Sequence, residues 1–537
     1  MRRLWAGILV GVLVVAALVT VVVARNSGNK VEGTGTLVAA VTIPGSDGTP
    51  LSAYVIPPKG GTTATHAPLV IMPASWASGS KEYLKAGQVL AASGYEVISY
   101  AQRGFRPSQG QVGFADAKTQ ADVSSVIDWA LEHTGADKSH IGAVGISYGA
   151  GVALLAAERD PRIKAVVGMT AWADLGASLD PNHTLNKIAV SGLMTSGAGA
   201  GTLDQELSGI RAQLSLGFTS SAESMLNNPV RSPATGVDAL NRNKTAVLLA
   251  NGYQDSLIIP NQLVTFFDAL TGPKRLELRV GDHGGPENSG LAGKANEVWQ
   301  SATRWLDHYL RGVDNGVQQD DPVQLKDVTT NQWHSYKDWS ATSTPSTLWL
   351  GEAAGTPPTG SLGLPAGSTG QHPAWTRRIT SGVDTVANSG TVQINNTRFV
   401  VPSSVSIASV TRANAVVWTG PPTTQATLIN GEPRLHVTVA PSAGSATFYA
   451  YLYDVDPVTG GALVTYAPYS LVGARPGEAQ TVDVDLGAIS WTVPQGHHLA
   501  LVIDTVDARY AGRNPVGSTV TFSSTPADPS DLAIPIG

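Results

Sequence analysis

Hydrophobic and polar residues follow two different patterns along the chain. From residue 38 to about residue 316, short apolar runs alternate with longer segments in which apolar residues recur at helical spacing. Such runs are typical of strands covered on both faces, and the longer segments are typical of amphipathic helices. Strands that alternate with helices predict right-handed βαβ units and a mostly parallel sheet.

The first part is predicted to begin with a strand pair at 38–58, whose turn carries Asp47-Gly48. Further strands are predicted at 68–72, 95–100, 141–146, 163–170, 245–250 and 276–280. Helices are predicted at 81–93, at 117–133, directly after Ser147, and at 296–310.

Two regions depart from this alternation. Residues 175–244 contain helix-like stretches, a predicted break at 197–201 and no predicted strand, which indicates an inserted helical cap. From Pro322 onward, short alternating runs between Gly and Pro turns are typical of an antiparallel sandwich or jelly roll. The predicted fold class is α/β plus all-β, with an α/β domain at 31–318 and a β domain at 319–537.

An uncharged apolar run of 21 residues, from Leu4 to Ala24, follows Arg2 and Arg3. Its length suits a helix that spans a bilayer core of ~30 Å, and the arginines favour an N-terminus inside the cell. We therefore expect residues 1–30 to be a signal-anchor segment and the remainder to lie outside the cytoplasm. The alternative is a signal peptide cleaved after Ala24, which would give a secreted protein.

Composition narrows the classes of function. Charged residues make up 14% of the chain, the net charge is −6, and no basic block lies beyond the extreme N-terminus, which argues against nucleic-acid binding. The chain has no cysteine, which excludes disulfides, zinc–thiolate sites, a thiol nucleophile and a lipid-modified N-terminal cysteine.

The segment Gly145-Ile146-Ser147-Tyr148-Gly149 has the pattern G-x-S-x-G. A buried strand leads into it and a small-residue helix leaves it, which is the setting of a nucleophile elbow. The flanking glycines allow the sharp turn that lifts a serine hydroxyl above the sheet. We predict Ser147 as the nucleophile and the backbone amide of Tyr148 as a donor to an oxyanion.

A serine nucleophile needs a general base and an acid that orients the base. Asp255 lies in the loop after the strand at 245–250, and His283 lies in the glycine-rich loop after the strand at 276–280. Because the carboxyl ends of parallel strands meet at one edge, we predict that both side chains lie beside Ser147. Asp174, after the strand at 163–170, is the alternative acid.

The loop Pro73-Ala74-Ser75-Trp76 follows the strand at 68–72 and is predicted to supply the second oxyanion donor. The candidate is the backbone N–H of Ser75 or of Trp76. The alternative role of Trp76 is a wall of the substrate pocket.

Neither a metal site nor a cofactor is expected, since there is no H-E-x-x-H and no clustered His/Asp spacing. The β-rich part has four aspartates that we interpret as turn and exposed-face residues, with a calcium site as the alternative: Asp454, Asp456, Asp483 and Asp485.

Together these motifs resemble the X-Pro dipeptidyl-peptidase and cocaine-esterase type of serine hydrolase, which is similar to peptidase family S15. The similar segments are the opening strand pair, Arg103-Gly104 with Ser108-Gln109-Gly110, the elbow 145–149, the loops 252–255 and 282–284, the helical segment 304–312, and 331–339 with 496–499.

The resemblance implies an α/β-hydrolase domain with a helical cap and a C-terminal jelly roll. It implies cleavage of ester or amide bonds in a small molecule or a short peptide, by X-Pro dipeptidyl-peptidase activity or by carboxylesterase or acylase activity. The family often has a tyrosine in the oxyanion loop, which reads MPASW here. No acidic residues that would hold the free N-terminus of a peptide can be assigned.

A non-catalytic surface protein, with the β domain as a glycan- or partner-binding module, is the alternative from another class. The presence of Ser147, Asp255 and His283 at the expected loops argues against a decayed hydrolase.

Overall fold

The structure, a computed structural model, describes residues 38–60, 66–363, 372, 374–390 and 404–537. The predicted membrane segment at 4–24 lies outside the described residues. Within the described part, no helix combines the length and the apolar character that crossing a bilayer requires.

A ten-stranded sheet organises the first part of the chain. Its strands are β1 (Ala39–Pro44), β2 (Pro50–Ile56), β3 (Ala67–Pro73), β4 (Glu96–Tyr100), β5 (Ala136–Ile146), β6 (Ile163–Met169), β7 (Ala246–Gly252), β8 (Lys274–Arg279), β9 (Val323–Lys326) and β10 (Trp333–Tyr336). They lie in the order β1-β2-β4-β3-β5-β6-β7-β8-β9-β10. The strands from β4 to β9 are parallel, and antiparallel strands lie at both edges.

Helices cover both faces of this sheet. In the described residues they are α1 (Leu84–Ala92), α2 (Ala117–His133), α3 (Tyr148–Arg159), α4 (Leu175–Leu179), α5 (Lys187–Ala200), α6 (Gln205–Ser215), α7 (Ser220–Leu226), α8 (Val237–Asn243), α9 (Asn261–Ala269), α10 (Asn288–Leu291) and α11 (Glu297–Arg311). Successive residues of β5 point to opposite faces, so Ala143 packs in a core with α2 and α3, and Val144 packs in a core with α1 and α11. Because neither face of the central strands meets water, β3 and the second half of β5 are all-apolar runs.

The structure confirms the predicted alternation of strands and helices. Helix α2 has the predicted bounds, and the Asp116 carboxylate starts it by accepting a hydrogen bond from the Thr119 amide at 2.8 Å. Helices α4 to α8 lie between β6 and β7, where the inserted cap was expected. The cap limits at 175 and 244 remain predictions.

The predicted break at 197–201 is wrong, because α5 continues through it to Ala200. A Cβ atom at Gly197 would lie 2.7 Å from the ring of Trp76. The glycine therefore allows the helix and the tryptophan to touch. This packing outweighs the low helix propensity of glycine, which costs about 1 kcal/mol relative to alanine.

The chain after β10 forms two sheets. Their strands are β11 (Thr344–Trp349), β12 (Gly360–Ser361), β13 (Trp375–Thr380), β14 (Ser404–Val405), β15 (Val416–Thr419), β16 (Thr427–Gly431), β17 (Arg434–Pro441), β18 (Ser445–Asp456), β19 (Gly460–Val472), β20 (Gln480–Asp485), β21 (Ile489–Val493), β22 (His498–Asp504), β23 (Thr519–Ser524) and β24 (Asp531–Ile536). One sheet has the order β13-β23-β17-β24-β16-β21, with β11 on β24 and β20 on β17, and the other has the order β12-β15-β22-β18-β19-β14.

The two sheets pack face to face, since the ring centroids of Phe448 on β18 and Phe522 on β23 are 5.5 Å apart. The all-β C-terminal part is confirmed, and its assignment as a jelly roll remains a prediction. The ten-stranded sheet itself extends past the predicted domain limit at 318, because β9 pairs with β8 and β10 pairs with β9.

Candidate active site

The elbow after β5 holds Ser147 in a backbone conformation that few residues adopt. Ser147 has φ 55° and ψ −120°. A Cβ atom at Gly145 would overlap the backbone of Gly149, and one at Gly149 would overlap the carbonyl oxygen of Pro73. Both positions therefore require glycine, and the serine hydroxyl is presented at the start of α3.

The structure brings Ser147, His283 and Asp255 together at the carboxyl edge of the sheet. The Nε2 atom of His283 lies 2.7 Å from the Oγ atom of Ser147. The Nδ1 atom of His283 lies 2.8 and 3.0 Å from the two carboxylate oxygens of Asp255. This arrangement has the geometry of a nucleophile, a base and an orienting acid.

The surroundings of His283 favour its protonated form. Burial alone disfavours the imidazolium, but the carboxylate of Asp255, with those of Asp282 and Glu287, outweighs burial and raises the pKa of His283 above its ordinary value. The imidazole is therefore a stronger base for the proton of Ser147.

The carboxylate of Asp255 is fixed by its own loop. The residue is 3% exposed, and its Oδ1 atom accepts hydrogen bonds from the amides of Leu257 at 3.0 Å and Ile258 at 2.8 Å. The alternative acid, Asp174, instead caps α4 by accepting a hydrogen bond from the Ala177 amide at 2.9 Å. The geometry thus favours Asp255 as the partner of the histidine.

Asp282 and Gln254 join the two loops, although no sequence pattern assigns them that role. Asp282 accepts hydrogen bonds from the amides of Ser256 at 2.8 Å and His283 at 2.7 Å. The Oε1 atom of Gln254 accepts a hydrogen bond from the amide of Gly281 at 2.9 Å. The only sign in the sequence is that each is adjacent to a predicted triad residue.

The Tyr148 amide, the predicted oxyanion donor, lies at the start of α3. It has no acceptor within the described residues. The phenol of Tyr148 is held elsewhere, because it donates to the carbonyl oxygen of Gly113 at 2.9 Å and accepts from the amide of Ala115 at 2.9 Å.

The two predicted donors of the preceding loop differ. The Ser75 amide donates to the Oε2 atom of Glu82 at 2.6 Å and is therefore already engaged. The Trp76 amide has no acceptor in the part of the chain that the structure describes. Trp76 remains the candidate for the second oxyanion donor.

The Trp76 side chain also has its predicted alternative position in a pocket wall. Its indole N–H donates to the carbonyl oxygen of Leu193 in the cap at 2.8 Å. A small cavity opens beside the nucleophile, and it is lined by Trp76, Phe114, Ser147, Tyr148, Trp172, Leu175, Leu179, Leu193, Leu257 and Ile258. Apart from a serine hydroxyl and a tyrosine phenol, this lining is apolar.

The four aspartates of the β-rich part all have partners. Asp454 and Asp456 share His497, whose Nδ1 atom lies 2.9 Å from Asp454 and whose Nε2 atom lies 3.4 Å from Asp456. The interpretation of Asp454 as a turn or exposed-face residue is wrong, because it lies buried on β18. Asp454 accepts from the Trp491 indole, Asp456 from the amides of the following turn, Asp483 pairs with His436, and Asp485 pairs with Arg434. Among the described residues, no group of three His, Asp or Glu side chains is arranged to hold a metal ion.

Comparisons with known proteins match both parts of the chain. A model described as X-Pro dipeptidyl-peptidase (S15 family) matches residues 47–285, which include Ser147, Asp255 and His283. A model of the X-Pro dipeptidyl-peptidase C-terminal non-catalytic domain matches residues 315–531. The sheet, the elbow and the two matches define a serine hydrolase of the α/β-hydrolase type. The two parts of the chain thus resemble X-Pro dipeptidyl-peptidases of the S15 family, and the chain is a serine hydrolase of the X-Pro dipeptidyl-peptidase or cocaine-esterase type.

Two curated relatives are putative Xaa-Pro dipeptidyl-peptidases. That of Bacillus cereus is 22% identical over 486 residues, which cover 84% of this chain and 77% of the relative. That of Streptomyces avermitilis is 27% identical over 255 residues, which cover 41% of this chain and 36% of the relative.

Two solved structures share the fold over nearly the whole chain. An aminopeptidase from a marine sediment archaeon (Thaumarchaeota archaeon) has a TM-score of 0.71 and 14% identity, covering 95% of this chain and 99% of its own. A CocE/NonD family hydrolase from Staphylococcus aureus has a TM-score of 0.70 and 14% identity, covering 94% of each chain.

Proposed function

We propose that this hydrolase cleaves ester or amide bonds through an acyl-enzyme, with Ser147 as the nucleophile, His283 as the base and Asp255 as the orienting acid. The observation that carries the proposal is the continuous hydrogen-bonded chain from the Ser147 hydroxyl, through both ring nitrogens of His283, to the Asp255 carboxylate.

In this mechanism the Oγ atom of Ser147 attacks the substrate carbonyl carbon while Nε2 of His283 takes its proton. Asp255 keeps the Nδ1–H tautomer and stabilises the imidazolium. The amides of Tyr148 and Trp76 donate to the oxyanion. His283 then gives its proton to the leaving group, and a water molecule, activated by the same imidazole, releases the acid and restores Ser147.

Labelling with a fluorophosphonate probe tests the nucleophile. The full chain should be labelled and should hydrolyse p-nitrophenyl acetate, and Ser147→Ala should do neither. Full labelling of Ser147→Ala would refute the assignment. Loss of the hydrolysis in His283→Ala would exclude the alternative of a non-catalytic binding protein.

The lining of the pocket favours substrates with an uncharged acyl group. Among the residues that the structure describes, no carboxylate lines the cavity beside Ser147. A free α-ammonium group would be buried there without a counter-charge, which costs several kcal/mol. We therefore expect esters and amides of apolar acids to be better substrates than the unblocked X-Pro peptides that the names of the relatives suggest.

Two esters that differ only in the ammonium group test this preference. The p-nitrophenyl ester of 3-phenylpropanoic acid should have a kcat/KM at least tenfold above that of the p-nitrophenyl ester of phenylalanine, after correction for spontaneous hydrolysis. The opposite order, together with release of nitroaniline from Ala-Pro-p-nitroanilide, would instead support dipeptidyl-peptidase activity.

The location outside the cytoplasm, with residues 4–24 as the membrane anchor, is part of the proposal. Its support is the uncharged run of 21 residues after Arg2 and Arg3. The full chain should stay with membranes in alkaline carbonate and be cleaved by protease added outside intact cells. A soluble protein that begins after Ala24 would support the secreted alternative.

A further inference from the structure

In the loop that carries Trp76, the peptide group that joins Ala74 to Ser75 is held by two side chains. The carbonyl oxygen of Ala74 accepts a hydrogen bond from Nε2 of Gln102 at 2.6 Å, and the amide of Ser75 donates to Oε2 of Glu82 at 2.6 Å. These two polar atoms lie on opposite edges of one planar peptide group. The side chains of Gln102 and Glu82 therefore fix its orientation from both sides.

The next peptide group joins Ser75 to Trp76 and is bound at one edge. The carbonyl oxygen of Ser75 accepts a hydrogen bond from the amide of Ser78 at 3.1 Å. In a trans peptide the N–H points away from the C=O. The Trp76 N–H is therefore directed to the other side of the loop, where no acceptor lies within the described residues.

Ser75 also connects this loop to the elbow. Its hydroxyl donates to the carbonyl oxygen of Ile146 at 2.9 Å, and the amide of Ile146 donates to the phenol oxygen of Tyr83 at 2.9 Å. Ile146 directly precedes Ser147. Ser75, Ile146 and Tyr83 thus form one hydrogen-bonded unit, which Glu82 joins through the amide of Ser75.

Glu82 is half-buried, and its carboxyl group has no ion-pair partner among the described residues. The groups that face it are the amide and hydroxyl of Ser75 and the hydroxyl of Ser78. The titratable groups nearby are the phenol of Tyr83 and, next to that phenol, Glu287. Burial raises the pKa of Glu82 to about 7. An unpaired half-buried carboxyl is typical of a functional site rather than of a stabilising contact.

We propose that Glu82 is a positioning residue, which holds the Ser75 amide so that the Trp76 amide faces the oxyanion formed at Ser147. This inference rests on the proposed function. A hydrogen bond from an amide to a carboxylate is about twice as strong as one to a neutral acceptor. When Glu82 binds a proton, this hydrogen bond weakens and the loop is held less firmly.

The test is Glu82→Gln in the full chain, with p-nitrophenyl 3-phenylpropanoate as the substrate and a phenylalkyl trifluoromethyl ketone as the inhibitor. The ketone carbon bonds to Oγ of Ser147, the serine proton passes to His283, and the ketone oxygen becomes an oxyanion. We expect kcat to fall about 10- to 100-fold, KM to stay within about twofold, and the inhibition constant of the ketone to rise as much as kcat falls.

The pH dependence separates positioning from a general effect on folding. In the wild type, log kcat/KM should fall toward acid pH with a slope steeper than one, because Glu82 takes up a proton near pH 7 in addition to the proton that His283 takes up. In Glu82→Gln the slope should be shallower than in the wild type, since only His283 and Glu287 then remain to titrate. Gln102→Met removes the hydrogen bond at the opposite edge without removing a titrating group, so kcat should fall while the steep slope remains.

Glu432→Gln is the matched control. Burial raises the pKa of Glu432 to about 8, so this variant also replaces a carboxyl group with a raised pKa. Because Glu432 lies in the β domain, the kinetics of this variant should equal those of the wild type. Wild-type kcat and ketone affinity in Glu82→Gln would overturn the proposal. A loss of kcat that accompanies a lower melting temperature and leaves the pH slope unchanged would also overturn the proposal. An active Ser147→Ala would instead overturn the proposed function.

Discussion

At the scale of the residue, the candidate triad is held by side chains whose remaining hydrogen bonds are made within the same loops. Asp255 binds His283 and two amides of its own loop. Asp282 accepts hydrogen bonds from the amides of Ser256 and His283 and so joins the loop of the acid to the loop of the base. Such support reduces the reorganisation that the reaction requires.

Asp255→Asn should lower kcat/KM by about 10³- to 10⁴-fold, because an amide holds the imidazole in the wrong tautomer. Asp255 is also the main charge that raises the pKa of His283. Without that charge the pKa of His283 falls, so the acid limb of the pH–rate profile should move to lower pH. The profile of kcat/KM against pH measures both effects.

The control is Asp174→Asn, which changes the alternative acid at the cap of α4. Asparagine is also a good N-cap residue, so this variant should keep its stability and activity. A loss of activity as large as that of Asp255→Asn would contradict the choice of Asp255.

At the scale of the element, helix α5 brings the cap against the catalytic domain through Trp76. The ring of Trp76 lies against Gly197, and its indole N–H is bound by Leu193 of the same helix. Trp76, whose backbone amide is the candidate oxyanion donor, is therefore held by the cap as well as by its own loop.

Two glycines of α5 give a matched pair of alanine substitutions. Gly197→Ala should displace Trp76 and lower kcat at least tenfold, because the new Cβ would lie 2.7 Å from the ring. Gly192→Ala meets nothing within 4 Å and should stabilise the protein by up to about 1 kcal/mol with unchanged kcat. Chemical denaturation and steady-state kinetics compare them. Equal kinetics in the two variants would show that the contact with Trp76 has no part in activity.

The proximity of the three candidate residues could be predicted because each follows a strand that is visible as an apolar run, and parallel strands end at one edge. Ser147, Asp255 and His283 needed no knowledge of long-range packing. The contact of Glu82 with Ser75 could not be predicted, since a glutamate in the first turn of the predicted helix 81–93 is an ordinary surface residue by its sequence. Gly197 was misinterpreted because its partner, Trp76, is far away in the chain.

At the scale of the whole molecule, the β domain supports the loop that carries the acid. Asn261 begins α9 shortly after Asp255, and its Nδ2 atom donates to the carbonyl oxygen of Leu486 at 2.9 Å. Its Oδ1 atom accepts from the amide of Ala488 at 2.9 Å. The contact between the two parts thus reaches the segment that follows the acid of the site. The predicted limit at 318 lies before β9 and β10, which belong to the large sheet.

Asn261→Ala should lower the free energy of unfolding by about 1–3 kcal/mol, because two half-buried hydrogen bonds between the domains are lost. Asn241→Ala is the control. Asn241 makes a similar pair of hydrogen bonds, to Ala269 and Thr271, at the surface of the first part, so this variant should lose less stability. Chemical denaturation measures the free energy of unfolding of both variants. A loss in Asn261→Ala no larger than in the control would contradict the role of Asn261.

Translation delivers β9 and β10 last among the strands of the large sheet. When residue 285 leaves the ribosome, Ser147, Asp255 and His283 have all been made, but β8 still has no neighbour on its outer edge. An unpaired edge strand readily pairs with another chain, so the nascent protein is most prone to aggregate while residues 286–336 are being added. A chain released within that interval would contain all three residues of the candidate triad. It would lack β9, the strand that pairs with the outer edge of β8, and β8 leads directly to the loop of His283.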